Sequence, residues 1–213
     1  MLTVEHLTVK YAPTDAHCAL SDVSFSIREH ERVALLGPNG AGKSTLLLAL
    51  VGILPAQSGV IRMGDTILEK ESLSEIRRKL GLVFQNPDDQ LFMPTVFQDA
   101  AFGPRNYGIP EEQVAQTVEK TLETLGISHL RDRMIHKLSG GEKRLAALAG
   151  VLAMHPEVLL LDEPTSFLDL DATRRLIQCL SSLEPGMLIP THDLAFAREL
   201  CDRFLFLSHG KLV

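Results

Sequence analysis

The residues Gly37-Pro38-Asn39-Gly40-Ala41-Gly42-Lys43-Ser44-Thr45 have the types and spacing for handling a phosphorylated ligand. Gly37, Gly42, Lys43 and Ser44 satisfy the pattern G-x-x-x-x-G-K-[ST], which acts only between a strand and a helix. Arg32 to Leu36 reads as a short buried strand, and Leu46 to Leu50 reads as a helix. The glycines let the backbone curl so that the N–H groups of Gly37 and of Asn39 to Thr45 face one point. A helix starting near Lys43 adds its positive end. Lys43 can then reach the β- and γ-phosphates of a nucleotide, and Ser44 can coordinate Mg²⁺. A glycine-rich turn before a core helix is the plain alternative, and the flanking elements argue against it.

Further polar groups fall at the ends of apolar runs, where α/β sheets bind ligands. Val158 to Leu161 ends in Asp162-Glu163-Pro164. Asp162 is placed to hold Mg²⁺, and Glu163 to orient or deprotonate an attacking water. Leu82-Val83-Phe84 ends at Gln85, and Met187-Leu188-Ile189 is followed by His192. Ser139 and Glu142 form a capping-box pattern before a helix whose buried side carries Leu145, Leu148, Ala149 and Leu152. That explains the serine and the glutamate. It does not explain Gly140 and Gly141 in a helical first turn, where each glycine costs about 1 kcal/mol relative to alanine. Glycines there permit close approach of an anion or another backbone, so the chain offers two phosphate-type sites. Asp169 reads as a cap for a helix over 170–182. Tyr11, after the first strand, could stack on a purine base or simply cover its own sheet.

The elements that must position these groups follow from periodicity. Residues 2–10 and 19–27 read as strands, with a turn region at Pro13-Thr14-Asp15. Gln57 to Gly59 reads as a turn, Val60 to Leu68 as a hairpin around Gly64-Asp65, and Ser72 with Glu75 as a capping box for a helix ending near Leu80. Asn86 to Asn106 contains Pro87, Pro94 and Pro104 among many apolar side chains. It reads as a loop that packs on its own helices or docks a partner. Pro110-Glu111-Glu112 starts a helix, with proline at its first position, that ends at Gly126. Phe204 to Leu207 reads as the last strand.

A chain of 213 residues is sized for one domain with room for a subdomain. Its net charge of -6 and lack of a basic block give no expectation of a nucleic-acid partner. The longest apolar runs, such as Leu46 to Leu54, are about half a membrane span. Met1 to Glu5 already alternates like a strand, so no leader peptide is expected. Cys18, Cys179 and Cys201 fit reduced thiols of a cytosolic protein better than a disulfide framework.

In this order the motifs resemble the ATP-binding-cassette (ABC) ATPase family over the whole chain. The combination of Leu138-Ser139-Gly140-Gly141-Glu142, Leu159 to Ser166 and Thr191-His192-Asp193 carries the resemblance. It implies an α/β fold: a P-loop NTPase core with a mainly parallel sheet, an N-terminal antiparallel β-subdomain and an inserted α-helical subdomain. The expected division is 1–86 with 151–213 as core, and 87–150 as helical subdomain and signature. It implies ATP and Mg²⁺ as ligands. Tyr11 then resembles the adenine-stacking aromatic, and Gln85 the glutamine that senses Mg²⁺ and γ-phosphate. Ser139, Gly140 and Gly141 resemble the signature that closes on the ATP of the opposite subunit. Glu163 resembles the catalytic base, Asp169 the dimer-contact aspartate, and His192 the γ-phosphate switch.

Val83 to Phe92, with Pro94-Thr95-Val96 and Ala101 to Pro104, is similar to the cobalt-transport and energy-coupling-factor (ECF) ATPases. That implies an importer motor for metal ions or vitamins at the cytoplasmic face of a membrane. It works as a homodimer or heterodimer and touches membrane subunits through Asn86 to Asn106. Phe167 departs from the family, which usually has a small residue there. So does Pro190, which replaces an expected strand residue and removes a ladder donor. Dimerisation is expected to rest mainly on ATP and the membrane partners.

Overall fold

The computed structural model describes residues 1–12 and 17–213, so the turn expected at Pro13-Thr14-Asp15 lies outside the described residues. The chain divides into two compact units. One comprises Met1–Leu82, Glu157–Glu163 and Glu184–Val213; the other comprises Val83–Pro156 and Pro164–Leu183. Residues 164–183, expected in the core, fall with the helical unit in this division.

In the first unit, β1 (Leu2–Val9), β2 (Leu20–Ile27), β4 (Ser58–Met63) and β5 (Thr66–Ile67) form an antiparallel sheet in the order β2-β1-β4-β5. A second sheet runs β10-β9-β3-β8-β7-β6. Its members are β3 (Arg32–Leu36), β6 (Leu80–Val83), β7 (Val158–Leu161), β8 (Gly186–Pro190), β9 (Arg203–Ser208) and β10 (Lys211–Leu212). β3 pairs in parallel with both β8 and β9, and β7 pairs in parallel with β8. Central parallel strands are covered on both faces, which is why they read as unbroken apolar runs; β7 and β8 are buried at every position. The helix α1 (Lys43–Leu50) packs Leu46, Leu47 and Leu50 into one core with Leu35, Val158, Leu160 and Leu188. Truncating such a leucine to alanine costs on the order of 2–5 kcal/mol.

Several local expectations change. Ser58 and Gly59 lie in β4 rather than in a turn, with Gly59 at φ 97. Ser72 precedes α2 (Leu73–Lys79) but its side chain makes no cap. Its hydroxyl donates instead to Ile67 O at 2.5 Å, and Glu75 accepts from Thr66 and Lys79. The hydroxyl oxygen accepts from the preceding Glu69 N–H at 2.9 Å rather than from a helix N–H, so the box does not close. The chain also continues past the strand at Phe204 to Leu207 into β10, which folds back antiparallel on β9.

In the second unit, the apolar stretch expected as a loop is largely helical. A 3-10 turn spans Pro87–Asp89, and α3 covers Val96–Asn106. Thr95 caps α3 by accepting from the Gln98 N–H at 3.3 Å. Pro104 lies inside the helix and sacrifices one ladder donor there. Val96, Ala100, Ala101 and Pro104 form its buried side. The next helix, α4 (Glu111–Thr124), has Pro110 as its flanking cap residue rather than its first helical one, and buries Val114, Val118 and Leu122. Gly126 follows at φ 68. The unit is completed by α5 (Gly140–Leu152) and α6 (Leu170–Ser181).

Candidate functional site

Glycine is demanded twice in the loop between β3 and α1 by what surrounds it. A Cβ on Gly37 would stand 2.2 Å from the Leu207 carbonyl oxygen on β9, and one on Gly42 would stand 2.8 Å from Ala19 O. Lys43, the first residue of α1, is only 7% exposed. Its ammonium donates to Gly37 O at 2.8 Å and Pro38 O at 3.2 Å, and lies 3.7 Å from Glu163 Oε1. Asn39, Gly40 and Ser44 are exposed, whereas Ala41 and Thr45 are buried. The Thr45 and Tyr11 hydroxyls share a hydrogen bond of 2.7 Å. Tyr11 is 67% exposed and stands tethered beside the loop by that bond.

The strands β3, β8 and β7 are consecutive neighbours and parallel, so their C-terminal ends lie along one edge. The Lys43 loop follows β3, Thr191 and His192 follow β8, and Asp162 and Glu163 follow β7. Glu163 adopts φ 43, a conformation that costs a non-glycine residue about 1–3 kcal/mol. Its N–H donates to Pro190 O at 3.0 Å. Its Oε2 accepts from the His192 N–H at 3.3 Å and meets His192 Nδ1 at 2.8 Å. Thr191 is fully buried and donates its N–H to Leu35 O at 3.1 Å. Asp193 accepts from the Ala195 and Phe196 N–H groups and so caps α7 (Leu194–Leu200). The first unit therefore joins Lys43, Glu163 and His192 in one contact chain, with a buried carboxylate in the middle and an exposed imidazole at the rim.

The second unit carries the other predicted residues. Gln85 Nε2 lies 3.4 Å from Ser166 Oγ. Ser139 and Glu142 close the expected capping box: Ser139 N–H donates to Glu142 Oε2 at 2.7 Å, and Glu142 N–H to Ser139 Oγ at 3.3 Å. The bond from the Ser139 N–H, then the one from its hydroxyl, hold the Glu142 carboxyl below its usual range. A Cβ on Gly140 would meet nothing within 4 Å, so no contact within the chain requires glycine there. Asp169 caps α6 by accepting from the Ala172 N–H at 2.7 Å. Ser139, Gly141, Asp169, Phe167, Leu125 and Arg175 are among the walls of an open cleft of about 690 Å³.

Sequence reasoning missed Arg144 and Gln90. Arg144, 3% exposed, donates to Phe84 O at 2.7 Å and Gln85 O at 2.5 Å. Gln90 accepts from the Phe84 N–H at 3.1 Å and donates to Ala147 O at 3.0 Å. Together they hold the backbone around Gln85 against α5. An arginine next to the apolar stripe of that helix was the one available signal.

Residues 20–166 match the family model described as "ABC transporter". The chain belongs to the ABC transporter family. As an ATP-binding cassette it is an ATPase coupled to transport. It is 47% identical to the cobalt import ATP-binding protein CbiO of Rhodobacter capsulatus, covering 100% of this chain and 77% of that one. It is 45% identical to the energy-coupling factor transporter ATP-binding protein EcfA of Methanothermobacter thermautotrophicus, covering 99% and 69%. Among solved structures it resembles cbiO1 from Clostridium perfringens, described as part of the transporter complex cbiONQ. The TM-score is 0.91 at 37% identity, over 100% of this chain and 86% of that one. A bacterial ABC transporter cassette solved as a dimer gives a TM-score of 0.87 at 26% identity, over 100% and 96%.

The donor set of this cassette suits Mg²⁺. Ser44 and Asp162 offer hard oxygen ligands. Mg²⁺ takes few protein ligands and completes its shell with phosphate and water.

The cassette also presents an aromatic pair. Phe92 and Phe102, 63% and 40% exposed, meet edge to face with ring centroids 4.6 Å apart. Asp99 of α3 is buried, and its Oδ1 accepts from the Phe92 and Met93 N–H groups, each at 3.0 Å. Burial pushes the Asp99 carboxyl up, against the pull of those two bonds.

Proposed function

We propose that this cassette is the ATP-hydrolysing subunit of an energy-coupling-factor importer whose cargo is cobalt or nickel ions. The 47% identity to a cobalt import protein over the full chain supports the cargo class. The relatives named for the energy-coupling factor support the importer type, and keep a vitamin importer as the second reading. The chain would work at the cytoplasmic face of a membrane, as a homodimer or heterodimer of ATPase subunits. The Asn86–Asn106 region would dock membrane subunits that form the channel.

The observation that carries the catalytic reading is the Lys43–Glu163–His192 contact chain at adjacent strand ends. In this reading the loop from Gly37 to Thr45 cradles the phosphates, and Tyr11 stacks on the adenine. Ser44 and Asp162 would hold Mg²⁺, which when bound would neutralise phosphate charge. Lys43 leaves the carbonyls of Gly37 and Pro38 for the β- and γ-phosphate oxygens. Glu163 takes a proton from water as its oxygen bonds to the γ-phosphorus and the bond to the bridging oxygen breaks. His192 holds the Glu163 carboxylate and senses the γ-phosphate, and Gln85 senses Mg²⁺. Ser139, Gly140 and Gly141 close on the ATP held by the other cassette, with Asp169 in the dimer contact.

Glu163→Gln tests this reading. Steady ATP turnover is expected to fall by about 100-fold or more, with ATP affinity within about three-fold of the parent. Undiminished turnover would remove Glu163 from its role. Uptake of radiolabelled cobalt by vesicles carrying the whole transporter separates the metal cargo from the vitamin one.

A further inference from the structure

Glu163 is held at two places by one short run of chain. Its N–H donates to the Pro190 carbonyl, and its carboxylate accepts from the His192 N–H while meeting the His192 ring. That run is itself anchored. Thr191 donates its N–H to Leu35 O on β3, and Asp193 caps the helix that follows. Leu160 stands opposite Leu188 in the β7–β8 register, so Asp162 falls opposite Pro190. Alternate residues of a strand direct their main-chain groups to opposite neighbours. Thr191 faces β3, so Pro190 faces the chain leaving β7. Any other residue at 190 would also offer an N–H there, toward the Leu161 carbonyl. Proline withholds that donor, so at this position β8 meets the chain leaving β7 through the Pro190 carbonyl on the Glu163 N–H, where the backbone turns to φ 43, and proline locks its own φ near −65°.

We propose that Pro190 is a positioning residue for Glu163. It sets the end of β8 so that one carbonyl seats the strained Glu163 backbone and His192 meets the Glu163 carboxylate before nucleotide arrives. A reactive group held in advance at both its main chain and its side chain needs less reorganisation at the moment of reaction. The inference rests on the catalytic role of Glu163 proposed above. Its experiment therefore includes one arm that needs no turnover.

The substitutions are Pro190→Val, which restores a strand donor, and Pro190→Ala, which is used where valine lowers the melting temperature. In the nucleotide-free chain, exchange of the Glu163 amide followed by NMR is expected to be at least about five-fold faster than in the parent. In ATP turnover, kcat is expected to fall about five-fold with KM within about two-fold. In a His192→Ala background the same proline substitution is expected to change kcat by less than about 1.5-fold, because the two act through one contact. An unchanged Glu163 amide overturns the proposal, and so does a kcat loss that is the same size with and without His192. If Glu163→Gln turns over normally while the amide arm responds as expected, the catalytic reading fails and the positioning geometry stands.

Discussion

The Lys43 loop and the Ser139 turn are both helix N-termini rich in glycine, yet they are built in opposite ways. Around Lys43 the glycines are forced by contacts inside the chain: Gly37 lies under the β9 backbone, and Gly42 lies against the β2 end. Lys43 and Glu163, each 7% exposed, already have partners. Around Ser139 the helix satisfies its own N–H groups with a capping box, and Gly140 has open space beside it. In the same unit, Phe167 is 90% exposed at φ 65 and Leu170 is 77% exposed. The first region is organised by its own fold. The second has paid for features that nothing in its own unit uses, as expected of a surface completed by another molecule.

That contrast can be broken by substitution. The largest effect belongs to Lys43→Ala, which removes the charged donor of the loop and is expected to weaken ATP binding by about 100-fold in equilibrium titration. Unchanged affinity would mean that the loop is no phosphate cradle. Gly140→Ala sharpens the other side. The melting temperature should hold within about 1 °C, because the new methyl group meets nothing and alanine favours helix, while ATP turnover falls about ten-fold or more. Normal turnover would leave the glycine without a use.

A third test concerns the aromatic pair. Phe92→Asp should leave the ATPase rate of the isolated chain within about two-fold while abolishing co-purification with the membrane subunits. Retained assembly would move the docking surface elsewhere. The smallest effect is expected at Asp99. Its carboxyl is pushed up by burial, so the folded chain holds that proton more tightly than the unfolded one. The associated stability is complete below the unfolded carboxylate range and is lost as pH rises through the folded value. Asp99→Asn keeps an oxygen acceptor for Phe92 and Met93 without the charge. Its melting temperature relative to the parent should therefore be a few degrees better at pH 7 than at pH 3.5, and an equal difference at both pH values would contradict the cause assigned.

Much of the core was readable because it is local. The runs Arg32–Leu36, Val158–Leu161 and Gly186–Pro190 are apolar without alternation, as strands covered on both faces must be. The Ser139–Glu142 box was readable for the same reason, since both partners lie within one turn. The Ser72–Glu75 box had the same spacing and failed, because the Glu69 N–H, brought near by the preceding turn, took the hydroxyl oxygen while its proton went to the Ile67 carbonyl. Helix α3 was hidden by three prolines: Pro87 starts a 3-10 turn, Pro94 lies before the cap, and only Pro104 burdens the helix.

The residue types and their spacing alone determined the glycine-rich loop between β3 and α1, the acids and histidine placed after apolar runs, and the family to which this order of motifs belongs. Short-range geometry suffices for these, because a glycine turn, a capping serine or a strand end is set within a few residues. Tertiary structure alone decided which of those groups meet. The order β3-β8-β7 puts segments far apart in the chain side by side. That adjacency gives the Glu163 carboxylate Lys43 on one oxygen and His192 on the other, and gives its main chain the Pro190 carbonyl. It arises from strand pairing over long sequence separations, which no local pattern encodes.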